Sequence, residues 1–389
     1  MTAMLTCRHS DGNVSGKARH RASAEAVEVA SPWRIGLSRV TRRIRVGVIG
    51  AGNWTVESHL PNLLGNSDVD VVGVCRKGTE ELSWVQRRFD IPNASEDYRD
   101  ILALDLDACV VASPAGHHYE HAKAALLAGA HVLCEKPMTI DAGQAWDLVR
   151  LAEAESRTLV VAFGWNFNPI VRAAHEALSQ GGIGKLEHLT VHMTSATRSL
   201  LSLGRYGTDG SLAPESETWV DSRVSGGGYA QAQLSHALGI ALGLTGGRAL
   251  SAFALMTSPL GGGVEQHAVI AYEFDGGAIA AVSGGSGHEE ALAGKHSMEV
   301  RAIGSEGQIL LDLERESLRV FDRDGRHWPD FAPGVGAYEC AGPLDAVLMA
   351  ARGRVVENHA SGELGARTVE ALELAYLSAH SGRIERRKA

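Results

Sequence analysis

The sequence has few aromatic residues and no paired cysteines. Phe, Trp and Tyr together make up 5% of the 389 residues, and the five cysteines, at positions 7, 75, 109, 134 and 340, are scattered singly. This spacing fits neither a zinc site built on CxxC pairs nor the disulfide framework of a small secreted domain. We therefore expect no metal centre, and a reducing, cytoplasmic location.

Long apolar runs and an excess of positive charge are also missing. No apolar run approaches the roughly 18–20 residues that a membrane span needs, and the formal net charge is -9. Because binding to phosphate backbones depends on clustered Lys and Arg, this balance argues against a nucleic-acid partner. The composition is that of an ordinary globular protein, and the length is typical of two domains.

Residues 1–43 differ from the rest of the chain. They hold eight Lys and Arg residues against three Asp and Glu residues. An export signal would need an apolar segment and a cleavage site after Arg42-Arg43, but the strand-like IRVGVIG follows instead. We expect a disordered N-terminal extension. An upstream start-codon artefact and a targeting peptide are the other interpretations that the sequence leaves open.

From residue 44 the chain alternates between apolar strands and amphipathic helices. Strands are predicted at 44–50, 69–75, 106–113, 130–136 and 159–165, with helices at 118–130 and 141–155. Near-continuous apolar strands that alternate with helices are typical of a parallel sheet covered on both faces. The sequence therefore predicts an α/β fold whose N-terminal part, residues 44–165, is a doubly wound Rossmann domain.

Residues 166–389 have a different character. Successive strands are predicted at 185–195, 267–285, 296–313 and 318–325, with the hairpin-type turns FDGG and GSEG inside two of these runs. An amphipathic helix at 362–382 ends at a glycine. We predict a second domain of the α+β type with a large, mostly antiparallel open sheet, and final helices that pack back on the Rossmann domain.

A candidate phosphate-binding turn, GAGNW, follows the first strand at residues 50–54. The first glycine allows a tight turn, and the second lets the backbone approach a pyrophosphate at a helix N-terminus. The third small residue of a GxGxxG motif would fall on Thr55, so the match is incomplete. Its place after the first strand still predicts a dinucleotide site. The candidate cofactor contacts in this turn are Gly50, Gly52, Asn53 and Trp54.

The second strand ends with two basic residues, Arg76 and Lys77. An NAD enzyme usually has an acidic residue here, which bonds the ribose 2′-hydroxyl. A guanidinium suits a 2′-phosphate instead. We therefore expect that NADP(H) is preferred and that NAD(H) is possible. A solvated basic turn is the other interpretation.

Two stretches carry a resemblance to a known family. Residues 107–149, DACVVASPAGHHYEHAKAALLAGAHVLCEKPMTIDAGQAWDLV, resemble the signature of the Gfo/Idh/MocA oxidoreductases, and RVSGGGYAQAQLSHALG at 223–239 resembles a glycine-rich segment of their second domain. The resemblance covers roughly residues 44–385. It implies NAD(P)-dependent chemistry on a small sugar, cyclitol or related derivative. It also implies a homodimer or homotetramer formed through the C-terminal sheet.

The resemblance also implies roles for individual residues. Lys136 matches the family's lysine near the nicotinamide and the reacting oxygen, and Glu135 matches its acidic neighbour. His236 matches a histidine that commonly acts in proton transfer. The loop that passes under the cofactor is matched by Ser113, Pro114 and His118.

The sequence departs from the family pattern at two positions. The family's aspartate, four residues before the histidine, is Ala232 here, and the arginine of the domain junction is Asn166. We interpret the chain as a member of a divergent subfamily. Candidate substrate contacts are Asn166, Gln233 and Tyr229, with packing as the alternative for Tyr229. The segment around Trp219 and Asp221 is either a loop that closes the site or a plain connection.

Hydride transfer at an alcohol carbon needs a matched proton transfer at the oxygen. A partly desolvated lysine near a positively charged ring is expected to have a lowered pKa, and histidine titrates near neutrality without help. Lys136 and His236 belong to different domains, so the predicted site is the cleft between them. The alternative interpretations are that Lys136 is a structural loop lysine and that His236 is a buried helix histidine.

Two other functions stay open on the sequence alone. One is a redox-assisted lyase or glycoside hydrolase that retains NAD(P), and the other is a cofactor-sensing binding protein without chemistry. A change of NADPH absorbance on turnover would distinguish a dehydrogenase from the redox-assisted lyase or hydrolase. Biological activity that survives Lys136→Met would favour the second.

Overall fold

The computed structural model describes residues 42–388 except 206–211, 213–215, 290–295, 324, 326–329 and 356. Residues 1–41 of the predicted N-terminal extension therefore lie outside the described residues. From Arg42 onward the chain forms one compact unit, which contains both sheets. No helix in the described part of the chain is long and apolar enough to cross a membrane.

The N-terminal sheet has six parallel strands in the order β3-β2-β1-β4-β5-β6. The strands are β1 (Ile44–Ile49), β2 (Val69–Cys75), β3 (Asn93–Ser95), β4 (Ala108–Val111), β5 (His131–Cys134) and β6 (Leu159–Val161). The order reverses between β1 and β4, and in such sheets ligands bind outside the carboxyl ends of the strands at this switch point. The prediction of a Rossmann sheet is confirmed.

Helices cover both faces of this sheet, so its strands are buried. They are α1 (Leu60–Leu64), α2 (Thr79–Phe89), α3 (Tyr98–Leu102), α4 (His118–Leu127) and α5 (Ala142–Ala154). The start of α5 is fixed by Asp141, whose carboxylate accepts the backbone N–H of Gln144 at 2.8 Å. This cap follows the Lys136-Pro137 turn closely and so holds the far end of the segment that carries Lys136.

The second sheet has eight strands in the order β13-β12-β11-β7-β10-β9-β8-β14. The strands are β7 (Leu186–Ser195), β8 (Ala249–Thr257), β9 (His267–Phe274), β10 (Ile279–Ser286), β11 (Ser297–Gly304), β12 (Gly307–Asp312), β13 (Ser317–Phe321) and β14 (Glu385–Arg386). FDGG joins β9 to β10 and GSEG joins β11 to β12, as predicted. Neighbouring strands are antiparallel apart from β7 and β10, which confirms a mostly antiparallel sheet.

The helices of this part lie on one face of the second sheet and at its junction with the first. They are α6 (Pro169–Ser179), α7 (Arg198–Leu203), α8 (Glu217–Val220), α9 (Ser222–Ser225), α10 (Ser235–Thr245), α11 (Ala341–Ala351) and α12 (Gly362–Ser381). Helix α11 packs against β5 and β6, and α12 packs against α5 and β8. The last two helices therefore contact the Rossmann sheet and its helices. The boundary at residue 165 stays a prediction.

The other face of the second sheet exposes large apolar side chains. They alternate along the strands with buried residues, as a half-covered sheet requires. These side chains are Phe253, Leu255, Val269, Ile279 and Phe321. We refer to them as the outer apolar face.

Candidate active site

The phosphate-binding turn is shaped by close packing at one glycine and open space at the other. Gly50 has φ 97°, and a Cβ there would lie 2.2 Å from the backbone nitrogen of Ser113. A Cβ on Gly52 would meet nothing within 4 Å. Thr55, which is buried, donates its hydroxyl to the Gly50 carbonyl at 2.7 Å. Thr55 thus closes the turn from the position where a GxGxxG motif has its third small residue.

A π-helical turn, Thr55–His59, follows and buries both of its end residues. Wide turns of this kind are rare and are frequent at functional sites. Trp54, just before it, is half-buried and donates its indole N–H to Glu135 Oε1 at 2.8 Å. Asn53 is also half-buried. The turn therefore contacts the end of β5 as well as facing open space.

The basic residues at the end of β2 lie beside the same turn. Arg76 is half-buried and donates from Nη1 to the Ala51 carbonyl at 3.0 Å. Burial lowers the pKa of Arg76, although the charge of Glu81 opposes this shift. Lys77 is more exposed than Arg76. The Ala51 contact anchors one edge of the guanidinium at the phosphate-binding turn.

The loop after β4 is held to the loop after β5 by His118. Its buried ring places Nε2 2.6 Å from the Ser113 carbonyl oxygen and Nδ1 2.8 Å from the Pro137 carbonyl oxygen. Burial lowers the pKa of His118, and a neutral imidazole donates only one of these two bonds. Pro114 precedes the short 3-10 turn that leads into α4. The three predicted loop residues therefore lie together beside the Lys136-Pro137 turn.

Lys136 reaches from the end of β5 to the second domain. Its ammonium donates to the Ala232 carbonyl oxygen at 2.8 Å, in the π-helical turn Ala230–Leu234 that precedes α10. Burial lowers the pKa of Lys136, while the charge of Glu135 opposes this shift. The hydrogen-bonding partner of the ammonium is thus a neutral main-chain oxygen.

Glu135 is buried and accepts three N–H groups. Oε1 receives those of Trp54 and His59, each at 2.8 Å, and Oε2 receives the backbone N–H of Lys136 at 3.1 Å. Burial alone raises the pKa of Glu135, but the His59 hydrogen bond and the charges of His59 and Lys136 outweigh burial, so the pKa lies below its usual range. Glu135 is therefore a carboxylate near neutral pH.

His236 lies on α10 and is buried among aromatic rings. Its ring centroid is 5.1 Å from that of Trp165 and 5.0 Å from that of Tyr338. Burial holds the pKa of His236 well below its usual range, helped by the charges of Lys136 and His296. Nδ1 has no hydrogen-bond partner among the described residues. The ring is therefore a neutral imidazole with one nitrogen available.

Two family models match most of the chain that holds these residues. A family model described as an oxidoreductase family with an NAD-binding Rossmann fold matches residues 44–163, and a Gfo/Idh/MocA C-terminal domain model matches residues 171–310. The chain belongs to the Gfo/Idh/MocA oxidoreductase family. The resemblance inferred from residues 107–149, which include the EKP block Glu135-Lys136-Pro137, is confirmed.

Individual relatives match over shorter stretches. The chain is 33% identical over 156 residues to a dTDP-3,4-didehydro-2,6-dideoxy-alpha-D-glucose 3-reductase of Streptomyces antibioticus. This match covers 39% of this chain and 46% of the reductase. It is 28% identical over 144 residues to the D-glucoside 3-dehydrogenase of Escherichia coli (strain K12), covering 37% of this chain and 41% of that protein. The chain thus spans about half the length of the curated relatives it matches.

Solved structures share the whole fold. A levoglucosan dehydrogenase in complex with NADH and levoglucosan has a TM-score of 0.73 at 20% identity, and the match covers 89% of this chain and 99% of that one. GenD2 from gentamicin A biosynthesis, in complex with NAD, has a TM-score of 0.72 at 24% identity, with coverage of 90% and 98%. These likenesses establish the two-part architecture.

The position of the family's aspartate is occupied by Ala232, and its main chain contacts the lysine instead. The glycines before it allow this arrangement: a Cβ on Gly227 would lie 2.0 Å from the Tyr376 hydroxyl oxygen. Glu265 then accepts the backbone N–H of Gly228 and of Ala230, each at 2.9 Å, and the Tyr376 hydroxyl at 2.8 Å. This buried carboxylate holds the turn that presents the Ala232 carbonyl.

The three predicted substrate contacts are used inside the second domain. Tyr229 is fully buried and donates its hydroxyl to the Met193 carbonyl at 2.9 Å, which fits the packing alternative. Gln233 Oε1 accepts the Ser195 hydroxyl at 3.1 Å. Asn166 donates to the Gly239 carbonyl at 3.1 Å, and its Oδ1 has no partner among the described residues. The full burial of Tyr229 favours packing, and its role as a substrate contact stays a prediction.

Several residues at the site are missing from the sequence prediction. Tyr338 donates its hydroxyl to the Ala162 carbonyl at 2.7 Å, and its ring lies 4.8 Å from that of Trp165. His296 lies 5.8 Å from Trp165, ring to ring. Both come from segments far along the chain with no local motif, so no sequence signal marked them. His59 could have been noticed, because it follows the phosphate-binding turn within the same helical segment.

The segment around Trp219 and Asp221 forms two short helices. The Asp221 carboxylate accepts the backbone N–H of Arg223 at 2.9 Å, so it caps the second of them. Asp221 is also paired with the Arg223 guanidinium at 2.6 Å, and these bonds lower the pKa of Asp221 to about 2. Both interactions are local to the segment.

Proposed function

We propose that this protein is an oxidoreductase that prefers NADP(H) and transfers a hydride at a hydroxyl- or carbonyl-bearing carbon of a sugar, cyclitol or related derivative. The observation that carries the proposal is the Lys136 ammonium, which spans the junction of the two sheets beside a neutral His236. Relatives named as a dTDP-sugar reductase and a glucoside dehydrogenase support this substrate class.

The residues present fit a nicotinamide dinucleotide. The open space at Gly52, behind a turn closed at Gly50, is what a pyrophosphate requires. Arg76, anchored to Ala51, would reach a 2′-phosphate, and the loop held by His118 lies at the switch point beside Lys136. When bound, the nicotinamide supplies the hydride or accepts it.

Lys136 manages the proton at the reacting oxygen. In the direction of reduction, the ammonium donates a hydrogen bond and then a proton to the substrate oxygen as this oxygen becomes a hydroxyl. In the direction of oxidation, the neutral amine accepts that proton. Burial lowers the pKa of Lys136 toward the working pH, which is where a general acid or base is most effective. The substrate oxygen takes the place of the Ala232 carbonyl as the acceptor for Nζ.

His236 acts as a base or a hydrogen-bonding partner, because burial keeps it neutral. A neutral imidazole has one acceptor nitrogen, and Nδ1 has no partner among the described residues. We propose that His236 contacts the substrate hydroxyl that Lys136 contacts, or the adjacent hydroxyl on the sugar ring. The half-buried Tyr338 ring beside His236 offers flat apolar surface of the kind that packs on the C–H face of a sugar.

We further propose a cytoplasmic homodimer or homotetramer that assembles through the second sheet. The outer apolar face supports this assembly, because exposed patches of large apolar side chains mark association surfaces. Cys75, Cys109, Cys134 and Cys340 are free, buried thiols, in keeping with a reducing compartment.

The decisive experiment is a screen of neutral sugars, glycosides, inositols and amino sugars with NADP⁺ and NAD⁺, followed at the NADPH absorbance. Wild-type turnover that is lost in Lys136→Met and kept in Lys185→Met, a change at an exposed lysine, supports the proposal. A substrate that is cleaved without any net change in absorbance, by protein that retains its nucleotide, would favour the redox-assisted lyase instead. Equal activity of Lys136→Met and wild type would reject an enzymatic role for this site.

A further inference from the structure

His59 joins the phosphate-binding segment to the turn that carries Lys136. It closes the π-helical turn after the GxG loop, and its side chain is fully buried. Its Nε2 lies 2.8 Å from Glu135 Oε1, the oxygen that also accepts the Trp54 indole N–H. The second carboxylate oxygen accepts the backbone N–H of Lys136. Two steps of hydrogen bonding therefore separate His59 from the lysine.

The Glu135 carboxylate determines where the proton of His59 lies. An ionised carboxylate only accepts hydrogen bonds, so the proton between the two groups belongs to Nε2 of the imidazole. The other nitrogen, Nδ1, is buried and has no hydrogen-bond partner among the described residues. The orientation of the ring therefore depends on the bond to Glu135, and the same bond satisfies a buried charge that would otherwise be costly.

Cys340 completes a group of three potential metal ligands with His59 and Glu135. Their ligand atoms lie within 4.8 Å of one another, and all three residues are buried. A cation would have to displace the proton from the 2.8 Å hydrogen bond between His59 and Glu135. Burial also raises the pKa of the Cys340 thiol to about 12, so the thiol keeps its proton in this arrangement. Hydrogen bonding accounts for the group without a cation.

We propose that His59 is a positioning residue for proton transfer, which holds the Glu135 carboxylate against the turn that carries Lys136. The inference rests on the proposed function, because it concerns the same site. The held carboxylate fixes the backbone of Lys136 through its N–H and places a negative charge beside the ammonium. Without the His59 bond, the buried carboxyl would take up a proton more readily, and Lys136 would lose part of its counter-charge.

Three variants test this role. His59→Phe removes the donor and keeps comparable bulk, whereas His59→Gln keeps an N–H donor. His131→Gln is the matched control, because His131 is half-buried at the opposite end of the same strand and accepts the Thr158 N–H at 3.0 Å. The readout is the pH dependence of Lys136 acetylation by limiting acetic anhydride, measured by mass spectrometry with exposed Lys185 as the internal standard. Turnover across pH, NADPH affinity and metal content are measured on the same samples.

In His59→Phe we expect the Lys136 titration to move by about half a pH unit or more to lower pH. We expect kcat to fall about tenfold or more, while NADPH affinity changes little. His59→Gln should restore most of the wild-type Lys136 titration and most of kcat. In His131→Gln the Lys136 titration should match that of wild type. A Lys136 titration that is unchanged in His59→Phe would overturn the proposal. So would equal effects of Phe and Gln, or a stoichiometric cation that is lost on substitution. Because labelling needs no substrate, a lack of hydride transfer in wild type would reject the proposed function separately.

Discussion

At the scale of single residues, the candidate site places few charges among many neutral groups. Lys136 has Glu135 as its nearby carboxylate, and its hydrogen-bonding partner is the neutral carbonyl of Ala232. Where the rest of the family is expected to have an aspartate, this chain leaves the ammonium less stabilised. The proton is therefore easier to release near neutral pH, which suits a general acid.

The pH dependence of reduction follows from the state of Lys136. If the ammonium is the donor, as we propose, the rate of reduction is full below the pKa of Lys136 and falls as the pH rises through it. Because burial lowers this pKa from the ordinary lysine value, we expect the alkaline limb of kcat for reduction below pH 10.5. Stopped-flow rates of NADPH oxidation across pH measure it. A limb at or above the ordinary lysine value would contradict the assignment.

Removal of the lysine amine should reduce chemistry and spare binding. Lys136→Met keeps a side chain of similar length, so we expect kcat to fall by about 10²–10⁴, the usual contribution of a general acid or base. The dissociation constant for NADPH should change by less than about fivefold, because Nζ donates to the Ala232 carbonyl oxygen and does not contact the phosphate-binding turn. Fluorescence titration with NADPH and steady-state kinetics separate the two effects.

Cofactor preference should depend on Arg76. Its guanidinium is fixed at one edge by the Ala51 carbonyl, and a hydrogen bond from a charged group contributes about 1.5–3 kcal/mol. Arg76→Ala is therefore expected to raise KM for NADP⁺ by roughly 10- to 100-fold and to change KM for NAD⁺ little. Lys77→Ala, at the more exposed neighbour, is the control and should have a smaller effect. Equal loss with both cofactors would contradict the 2′-phosphate assignment.

At the scale of secondary-structure elements, β5 leads to Lys136 and α10 carries His236, the two residues to which we assign the proton, and the predictability of these elements differs. The run HVLC followed by Pro137 marks both the strand and its end, because proline cannot continue a ladder. Helix α10 lacks such a pattern: nine of its eleven residues are buried, so no polar stripe reveals its period. Strand β8, ALSAFALMT, also escapes prediction, because Ala, Leu and Met favour helices.

The glycine-rich element before α10 is expected to tolerate no side chain. A Cβ on Gly227 would lie 2.0 Å from the Tyr376 hydroxyl oxygen, and φ is 154°. Gly227→Ala must therefore displace Tyr376 from Glu265, which leaves a buried carboxylate short of a donor, at about 2 kcal/mol or more. Urea denaturation measures this loss. Gly276→Ala, where a Cβ meets nothing within 4 Å, is the control. Stability of Gly227→Ala equal to that of the control would contradict the packing account.

At the scale of the whole molecule, the site is assembled from distant parts of the chain, which limits what a sequence can reveal. The Rossmann alternation, the GxG turn and the EKP block are local patterns, so they locate the cofactor-binding half. Tyr338 and His296 come from segments more than 150 residues after Lys136, and no local period or motif records that they meet there. The hydrogen bond from Lys136 to the Ala232 carbonyl could not be predicted from the sequence either, because every residue has a carbonyl oxygen.

The outer apolar face leads to a prediction about assembly. Leu255 and Val269 are paired neighbours on β8 and β9, and they are 64% and 58% exposed. If copies of the chain associate through this face, lysines at both positions place unpaired charges in the interface, where each costs several kcal/mol. We expect wild type to elute as a dimer or tetramer in size-exclusion chromatography with light scattering, and the Leu255→Lys, Val269→Lys variant to be a monomer with the same far-UV circular dichroism. Leu127→Lys, at a leucine of α4 that is 58% exposed, is the control and should assemble like wild type. A monomeric wild type, or a double variant that still assembles, would show that this face is not the interface.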